Sequence, residues 1–289
     1  MSVTVLKTEK LCYTYSSGTI LENTAIKDIS IDIEKGELIG LIGHTGSGKS
    51  TLIQHFNGLL RPTSGSIYVN DRDIWADKSK IRQVRFTVGL CFQCPEYQLF
   101  EETVEKDIAF GPKNMGLKED EIKKRVLEAI HFVGLSESYL GKSPFDLSGG
   151  EKRRVAIAGV MAMEPQILIL DEPCAGLDPK GRDTVLGLIK EYREKTGSTV
   201  IIVSHSMEDI AKIATKVLVL NNGEVAMYGT VDEVYSHGEE LAEMGLSIPE
   251  MTKLFITLKE KGYNVRTNIY TVEEGRKELL SLLKEGKSL

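Results

Sequence analysis

Gly43-His44-Thr45-Gly46-Ser47-Gly48-Lys49-Ser50 is the stretch on which the reading of this chain turns. Before it runs Glu37-Leu-Ile-Gly-Leu-Ile42, nearly continuous in apolar residues, as expected of a strand covered on both faces. Behind it, Leu52, Ile53, Phe56, Leu59 and Leu60 fall at helical spacing and predict a helix over 51–60. A buried strand, a glycine-rich turn and a helix are the context that G-x-x-x-x-G-K-[ST] requires. Backbone N–H groups can converge on phosphate oxygens only where side chains are absent, and the helix turns its positive dipole end to the same anions. Residues Gly43, His44, Thr45, Gly46, Ser47, Gly48, Lys49, Ser50 and Thr51 are therefore the candidate nucleotide-binding loop. Lys49 would bridge the β- and γ-phosphates as a point charge, and the Ser50 hydroxyl would ligate Mg²⁺. His44 stands at a variable position of the loop, and its side chain is given no catalytic role.

Further along, Ile167-Leu-Ile-Leu170 ends in Asp171-Glu172, two acids at the end of a buried strand, where open parallel sheets place ligands. Asp171 suits the carboxylate that organises Mg²⁺, and Glu172 the group that polarises the attacking water. Between these motifs lies Leu147-Ser148-Gly149-Gly150-Glu151, a glycine pair at the head of a helical pattern over 151–163. It forms a second anion-binding helix end, with Ser148 as an extra donor. A further helical pattern covers 118–133, and Ser198 to Val203 reads as another buried strand. Strands interleaved with helices predict an α/β fold with a mostly parallel sheet. Val3–Leu6, Leu11–Tyr15 and Ile29–Ile33 read as short strands that precede it.

In its order of motifs the chain resembles the ATP-binding-cassette (ABC) ATPases, over roughly residues 1–230. The resemblance implies a phosphate-loop nucleotide-binding fold with an N-terminal antiparallel β subdomain and a helical signature subdomain at about 94–163. ATP and Mg²⁺ are the implied ligands. Tyr15 resembles the aromatic that stacks on adenine, with Tyr13 as the competing choice. Gln93 resembles the glutamine that reaches Mg²⁺ and the water, so Ser50, Gln93 and Asp171 are the implied Mg²⁺ set, and Glu172, His205 and Gln93 the catalytic set. Leu147 to Glu151 would face ATP held by a second subunit, and Asp178 would touch that subunit. Glu151 stands where the family commonly has Gln, which puts a charge near the partner's ribose and leaves the phosphate donors intact.

Phe92 to Phe100 and Val104 to Gly111 are similar to the energy-coupling-factor (ECF) importers of vitamins and of cobalt or nickel ions. That resemblance implies an ATPase paired with its own kind or a paralogue. Its other implied partners are an integral membrane coupling subunit and a substrate-capture subunit, on the cytoplasmic face of the cell membrane. A soluble cassette of the kind that assists iron–sulfur assembly is the alternative. The acids Glu96, Glu101, Glu102, Glu105 and Asp107, set against Lys106, predict an acidic docking groove for basic helices of the membrane subunit.

Composition fits these readings. The chain has 289 residues, 41% of them hydrophobic, and a net charge of −6, which argues against a broad basic face for nucleic acid. No run approaches the roughly 20 apolar residues of a membrane span, and the first ten residues lack the apolar stretch of a secretory signal. Cys91-Phe-Gln-Cys94 has a metal or redox spacing but no second ligand pair, so its cysteines are read as packing. Beyond about residue 230 a small helical unit over 231–289, similar to a dimerising extension, is expected. Ser247-Ile-Pro-Glu250 and Thr271-Val-Glu-Glu274 read as capping boxes. Met251, Leu254, Phe255 and Leu258 form one apolar stripe, and Leu279, Leu282 and Leu283 another.

Overall fold

A computed structural model describes residues 3–284 of the chain. Strand β1 (Thr4–Tyr15) pairs antiparallel with β2 (Asn23–Glu34), and β3 (Leu38–Ile42) leads through the glycine loop into α1 (Lys49–Phe56). Next come β4 (Ser64–Val69), β5 (Arg72–Asp73), α2 (Ile81–Thr87) and β6 (Val88–Cys91). The helices α3 (Val104–Asn114), α4 (Glu119–Phe132) and α5 (Gly149–Met161) fill the span before β7 (Ile167–Asp171). After them stand α6 (Pro179–Thr196), β8 (Thr199–Val203), α7 (Met207–Ile213), β9 (Lys216–Asn221) and β10 (Glu224–Thr230). Four helices end the described part of the chain: α8 (Val231–Ser236), α9 (Gly238–Glu243), α10 (Glu250–Glu260) and α11 (Val272–Lys284).

Two sheets result. One is antiparallel, in the order β2-β1-β4-β5; the other runs β10-β9-β3-β8-β7-β6 and is parallel except at its β9–β10 edge. The central strands are apolar at successive positions because each face has its own cover. Leu38, Ile42, Leu168, Leu170, Val200 and Ile202 join a core with the helices α3 to α6. The alternate residues Ile39, Leu41, Ile167, Ile169, Ile201 and Val203 join a second core with α1 and the antiparallel sheet. Period-2 alternation thus divides one apolar run between two cores.

The register sets the site. Leu41 pairs with Val203, Val203 with Asp171, and Leu170 with Cys91. The loops after β3, β8, β7 and β6 therefore emerge side by side at one edge of the sheet, where α/β sheets bind ligands.

Several boundaries differ from the sequence reading. Val3–Leu6 and Leu11–Tyr15 are one strand, bent at a bulge where Lys10 takes a positive φ. Helix α1 starts at Lys49 and stops before Leu59 and Leu60, whose N–H groups fold back onto the Gln54 carbonyl around Gly58. Helix α5 begins at Gly149, two residues earlier than its apolar pattern suggests. The Ser247–Glu250 box does not form: Ile248 is drawn into the main core, and Pro249 becomes the N-cap of α10. The Thr271–Glu274 box does form, with reciprocal bonds of 3.1 and 3.2 Å.

Phe255, Val265, Ile269 and Leu282 make a small core for the last two helices, flanked by Met251, Leu258 and Leu279. Leu254 leaves the expected stripe and faces solvent, while the side chain of Leu283 lies outside the described residues. The unit docks on its own chain through Tyr270, whose ring meets Tyr235 edge-on at 5.7 Å. No described helix is long and apolar enough to cross a membrane.

Candidate ATP-binding site

The glycine loop takes its shape from the backbone around it. At Gly48 φ is +103°, and a Cβ there would lie 2.6 Å from the Ala25 carbonyl of β2, so only glycine fits without strain. The Lys49 ammonium turns inward and donates to the Gly43 and His44 carbonyls at 2.7 and 3.0 Å. Burial pushes its pKa down, while the negative charges of Glu172 and Asp171 pull it back up. Thr45, Gly46 and Ser50 are exposed, leaving the loop open on its outer side. The Ser47 hydroxyl is buried and has no hydrogen-bond partner among the described residues. His44 Nδ1 closes a local contact with the Thr45 carbonyl at 2.8 Å.

On the neighbouring strand ends stand the acids. Asp171 is buried, which raises its pKa, while Lys49 and the Ser50 hydroxyl draw it back. Glu172 adopts φ +52°, a conformation that costs an L-residue roughly 1–3 kcal/mol and clusters at functional sites. Its N–H is tied to the Val203 carbonyl at 2.9 Å, which holds the turn. The Glu172 side chain is only 12% exposed, and one carboxylate oxygen has no hydrogen-bond partner among the described residues. Burial first, and the adjacent Asp171 second, push its pKa up to about 7. His205 Nε2 approaches that oxygen at 3.3 Å from a more open position, and burial and Lys49 hold the imidazole below its usual value. Gln93 follows β6 and points to solvent.

Tyr15 is 37% exposed, and its hydroxyl is 3.2 Å from Thr51 Oγ1 in α1. Tyr13 is wedged edge-on between Tyr15 and His55 and packs on the core. Of the two rings, Tyr15 has a face free to stack.

The structure thus gathers Gly43 to Thr51, Asp171, Glu172, His205 and Gln93 at one sheet edge. It leaves Leu147 to Glu151 and Asp178 elsewhere: Ser148, Gly150, Glu151 and Asp178 line a separate cavity of about 330 Å³. No hydrogen bond or ion pair among the described residues joins the two groups directly. Ser148 caps α5 in a capping box, and its hydroxyl donates to Glu151 Oε2 at 2.7 Å. The extra phosphate donor read from the sequence is therefore already engaged, a correction to the expectation that Glu151 leaves every donor intact. Asp178 caps α6 by accepting from the Gly181 N–H at 2.8 Å.

One residue that links the two groups escapes the sequence reading. Arg153 of α5 is buried, pairs with Glu96 at 3.1 Å, and donates to the Ala175 carbonyl in the loop after Glu172. Nothing local signals it, because its partners lie 57 and 22 positions away. Cys91 and Cys94 are free thiols, and burial pushes Cys91 up to about 12. Among the described residues no group of three His, Cys, Asp or Glu could hold a metal.

A parallel sheet with a phosphate loop, two acids and a histidine on adjacent strand ends defines a nucleotide-hydrolysing cassette. Residues 26–175 match the family described as "ABC transporter". The chain is 56% identical over 278 residues to "Energy-coupling factor transporter ATP-binding protein EcfA2" of Clostridium tetani, covering 96% of each. Against the protein of the same name in Caldanaerobacter subterraneus subsp. tengcongensis it is 51% identical, covering 98% of this chain and 99% of that one. Among solved structures, cbiO1 of Clostridium perfringens, "part of the ABC transporter complex cbiONQ", superposes with a TM-score of 0.75. The two are 40% identical, over 90% of this chain and 98% of that one. A dimeric cassette, MJ0796 bound to ADP and Pi, gives a TM-score of 0.70 at 28% identity, over 78% of this chain and 98% of that one. The chain belongs to the ABC transporter family, as an ATP-binding subunit, and an ATPase, of the energy-coupling factor group.

Proposed function

We propose that this subunit drives import of a small solute, a transition-metal ion such as cobalt or nickel or a vitamin, by closing and opening against a second ATPase. It would lie peripherally on the cytoplasmic face of the membrane, beside an integral coupling subunit and a substrate-capture subunit. Each ATP would sit between one subunit's Gly43–Thr51 loop and the other's Leu147–Glu151 helix end. The observation that carries this reading is the glycine pair. A Cβ at Gly149 or Gly150 would meet nothing within 4 Å among the described residues, so packing among them does not explain the glycines; close approach by a facing subunit's phosphates would.

Within the site, Tyr15 would stack on adenine, Lys49 would bind the phosphates, and Glu172 would take the proton of the attacking water. His205 would contact the γ-phosphate, and Asp178 the partner. Ser50, Asp171 and Gln93 offer hard oxygen donors, one of them a buried carboxylate, and such a set fits Mg²⁺. Mg²⁺, when bound, neutralises phosphate charge at these residues. The body over 1–230 would carry ATP, and 231–289 would support pairing.

The membrane contact reads differently from the charge count. Glu96 is neutralised by Arg153, Glu102 by Lys106, and Asp107 is buried against the backbone N–H groups of Phe100 and Glu101. Glu105 is exposed, and neither it nor Glu101 has an ion-pair partner among the described residues, but two aromatic rings face outward beside them. Phe100 and Phe110, 57% and 46% exposed, meet edge-on at 4.9 Å on a groove of about 360 Å³ with Phe86, Leu90 and Met163. We assign this groove, and not an acidic one, to a helix of the coupling subunit.

The test is co-purification of the chain with membrane subunits from its native host, together with fractionation. Pelleting with membranes only when an integral partner is present supports a motor; a soluble assembly that never pellets would return the iron–sulfur type of reading. Glu172→Gln should retain ATP and hold a closed dimer.

A further inference from the structure

The α5 N-terminus already contains an anion. Glu151 Oε2 accepts from the Ser148 N–H at 2.8 Å and from the Ser148 hydroxyl at 2.7 Å, while the Glu151 N–H returns a bond to Ser148 Oγ at 3.4 Å. The second carboxylate oxygen is held by the Tyr139 hydroxyl at 2.7 Å. Tyr139 comes from the loop between α4 and α5, and the Lys142 ammonium lies 3.8 Å from its ring centroid. These bonds, with Arg154 nearby, hold Glu151 down to about 2, so it is charged throughout the physiological range.

A hydroxyl has one proton. While Ser148 gives its proton to Glu151, it cannot give it to a phosphate. A phosphate oxygen that takes over that bond must also sit against Glu151 Oε2, within contact distance of a like charge.

We propose that Glu151 is a built-in competitor for the facing subunit's triphosphate, held over Ser148 by Tyr139, and that it sets how readily the two subunits close on ATP. The inference rests on the head-to-tail reading above. Closure exchanges one hydrogen bond for another: the Ser148 hydroxyl leaves Glu151 for phosphate, and Glu151 turns away from both Ser148 and Tyr139 toward solvent. Tyr139 and Glu151 are positioning residues in this scheme and touch no reacting atom.

The structural role alone predicts no gain. If Glu151 merely capped α5, Gln would keep the box and Tyr139→Phe would at most loosen it, so closure would be unchanged or hindered. As a competitor, its loss should favour closure. The test uses sedimentation velocity of the full-length Glu172→Gln chain over a series of Mg·ATP concentrations, alone and mixed with the second ATPase of its native complex. Glu151→Gln should lower the ATP concentration at half-assembly by about tenfold, the scale of one close charge pair in a partly wet interface. Tyr139→Phe, which frees one carboxylate oxygen, should lower it about threefold, on the scale of a single hydrogen bond. The gap between Glu151→Gln and its parent should shrink as salt rises from about 0.05 to about 0.5 M. Half-assembly that is unchanged or weakened in both variants, or a gap indifferent to salt, overturns the competitor. Absence of ATP-dependent association in every mixture overturns the two-subunit reading itself, and the competitor with it.

Discussion

Two helix ends in this chain point backbone N–H groups outward, and they are built oppositely. The first turn of α1 carries no acid, its glycine at position 48 is forced by a left-handed φ and a carbonyl at 2.6 Å, and its lysine is buried against the loop's own carbonyls. The first turn of α5 carries Glu151, its glycines face open space, and its serine is bound to that acid. One end is complete within the chain before any nucleotide arrives. The other opens outward, and among the described residues nothing packs against its glycines.

The strongest way to break this contrast is to kill each end separately. Glu172→Gln should cut turnover by about 10²–10⁴, the usual effect of losing a general base, with nucleotide retained. Gly149→Asp should cut turnover comparably, although an acid at a helix start favours the helix by roughly 0.3–1 kcal/mol. Its thermal midpoint should therefore hold or rise. Wherever the chain pairs with itself, mixing the two dead variants should restore about a quarter of wild-type turnover, since half the dimers then carry one intact site of two. No recovery in a chain shown to self-pair would mean that the two ends serve the same subunit.

A smaller effect separates the glycines. Gly48→Ala places a Cβ against the Ala25 carbonyl at an unfavourable φ and should cost about 3 kcal/mol of stability, read by denaturant unfolding. Gly149→Ala, with nothing within 4 Å, should stay within about 0.5–1 kcal/mol. Equal losses would show that α5 is packed where it looks open.

These motifs are legible because local chemistry is written in adjacent residues. The phosphate loop needs its glycines and lysine in one turn, and the acids need only end a run of apolar residues. The two-core sheet is legible too, since continuous apolar strands imply cover on both faces. Elsewhere the signal is tertiary. The Ser247 box fails because Ile248 gains more in the main core than Ser247 would gain as a cap. The acid count over 95–107 overstates the free charge because Arg153, far along the chain, neutralises Glu96. Ser148 reads as a free donor, yet a serine followed three residues later by an acid is also a capping box. A linear motif does not say which acceptor the hydroxyl donates to.

Glu172 sharpens the contrast through pH. Its folded pKa of about 7 lies above the usual 4.5, so the native state favours the protonated form. In the nucleotide- and metal-free chain, ionising it opposes folding: the penalty is absent below about pH 4.5, grows through about pH 7, and is complete above. Each tenfold change in proton affinity between folded and unfolded chains is worth roughly 1.36 kcal/mol. Glu172→Gln should therefore be more stable than wild type at pH 8, by about 3 kcal/mol, and equal to it at pH 4. A gap that did not grow with pH would remove strain at this carboxylate from the account.

The smallest effect concerns what keeps the two ends in step. Arg153 is the described side chain that touches the segment after Gln93, through Glu96, and the loop after Glu172, through the Ala175 carbonyl, from within the signature helix. Breaking a buried pair leaves a charge unpaired, but Glu96 is the more open partner and water can reach it, so Glu96→Gln should cost only about 1–2 kcal/mol. The neutral amide keeps one hydrogen bond to the guanidinium and leaves Arg153 on Ala175. Arg153→Gln should cost more than Glu96→Gln, because it cuts both links. A double-mutant cycle over the two positions then isolates the pair itself. Coupling near zero would show that the Glu96 pair adds nothing to the link, which then rests on the Ala175 contact and the apolar packing of α5.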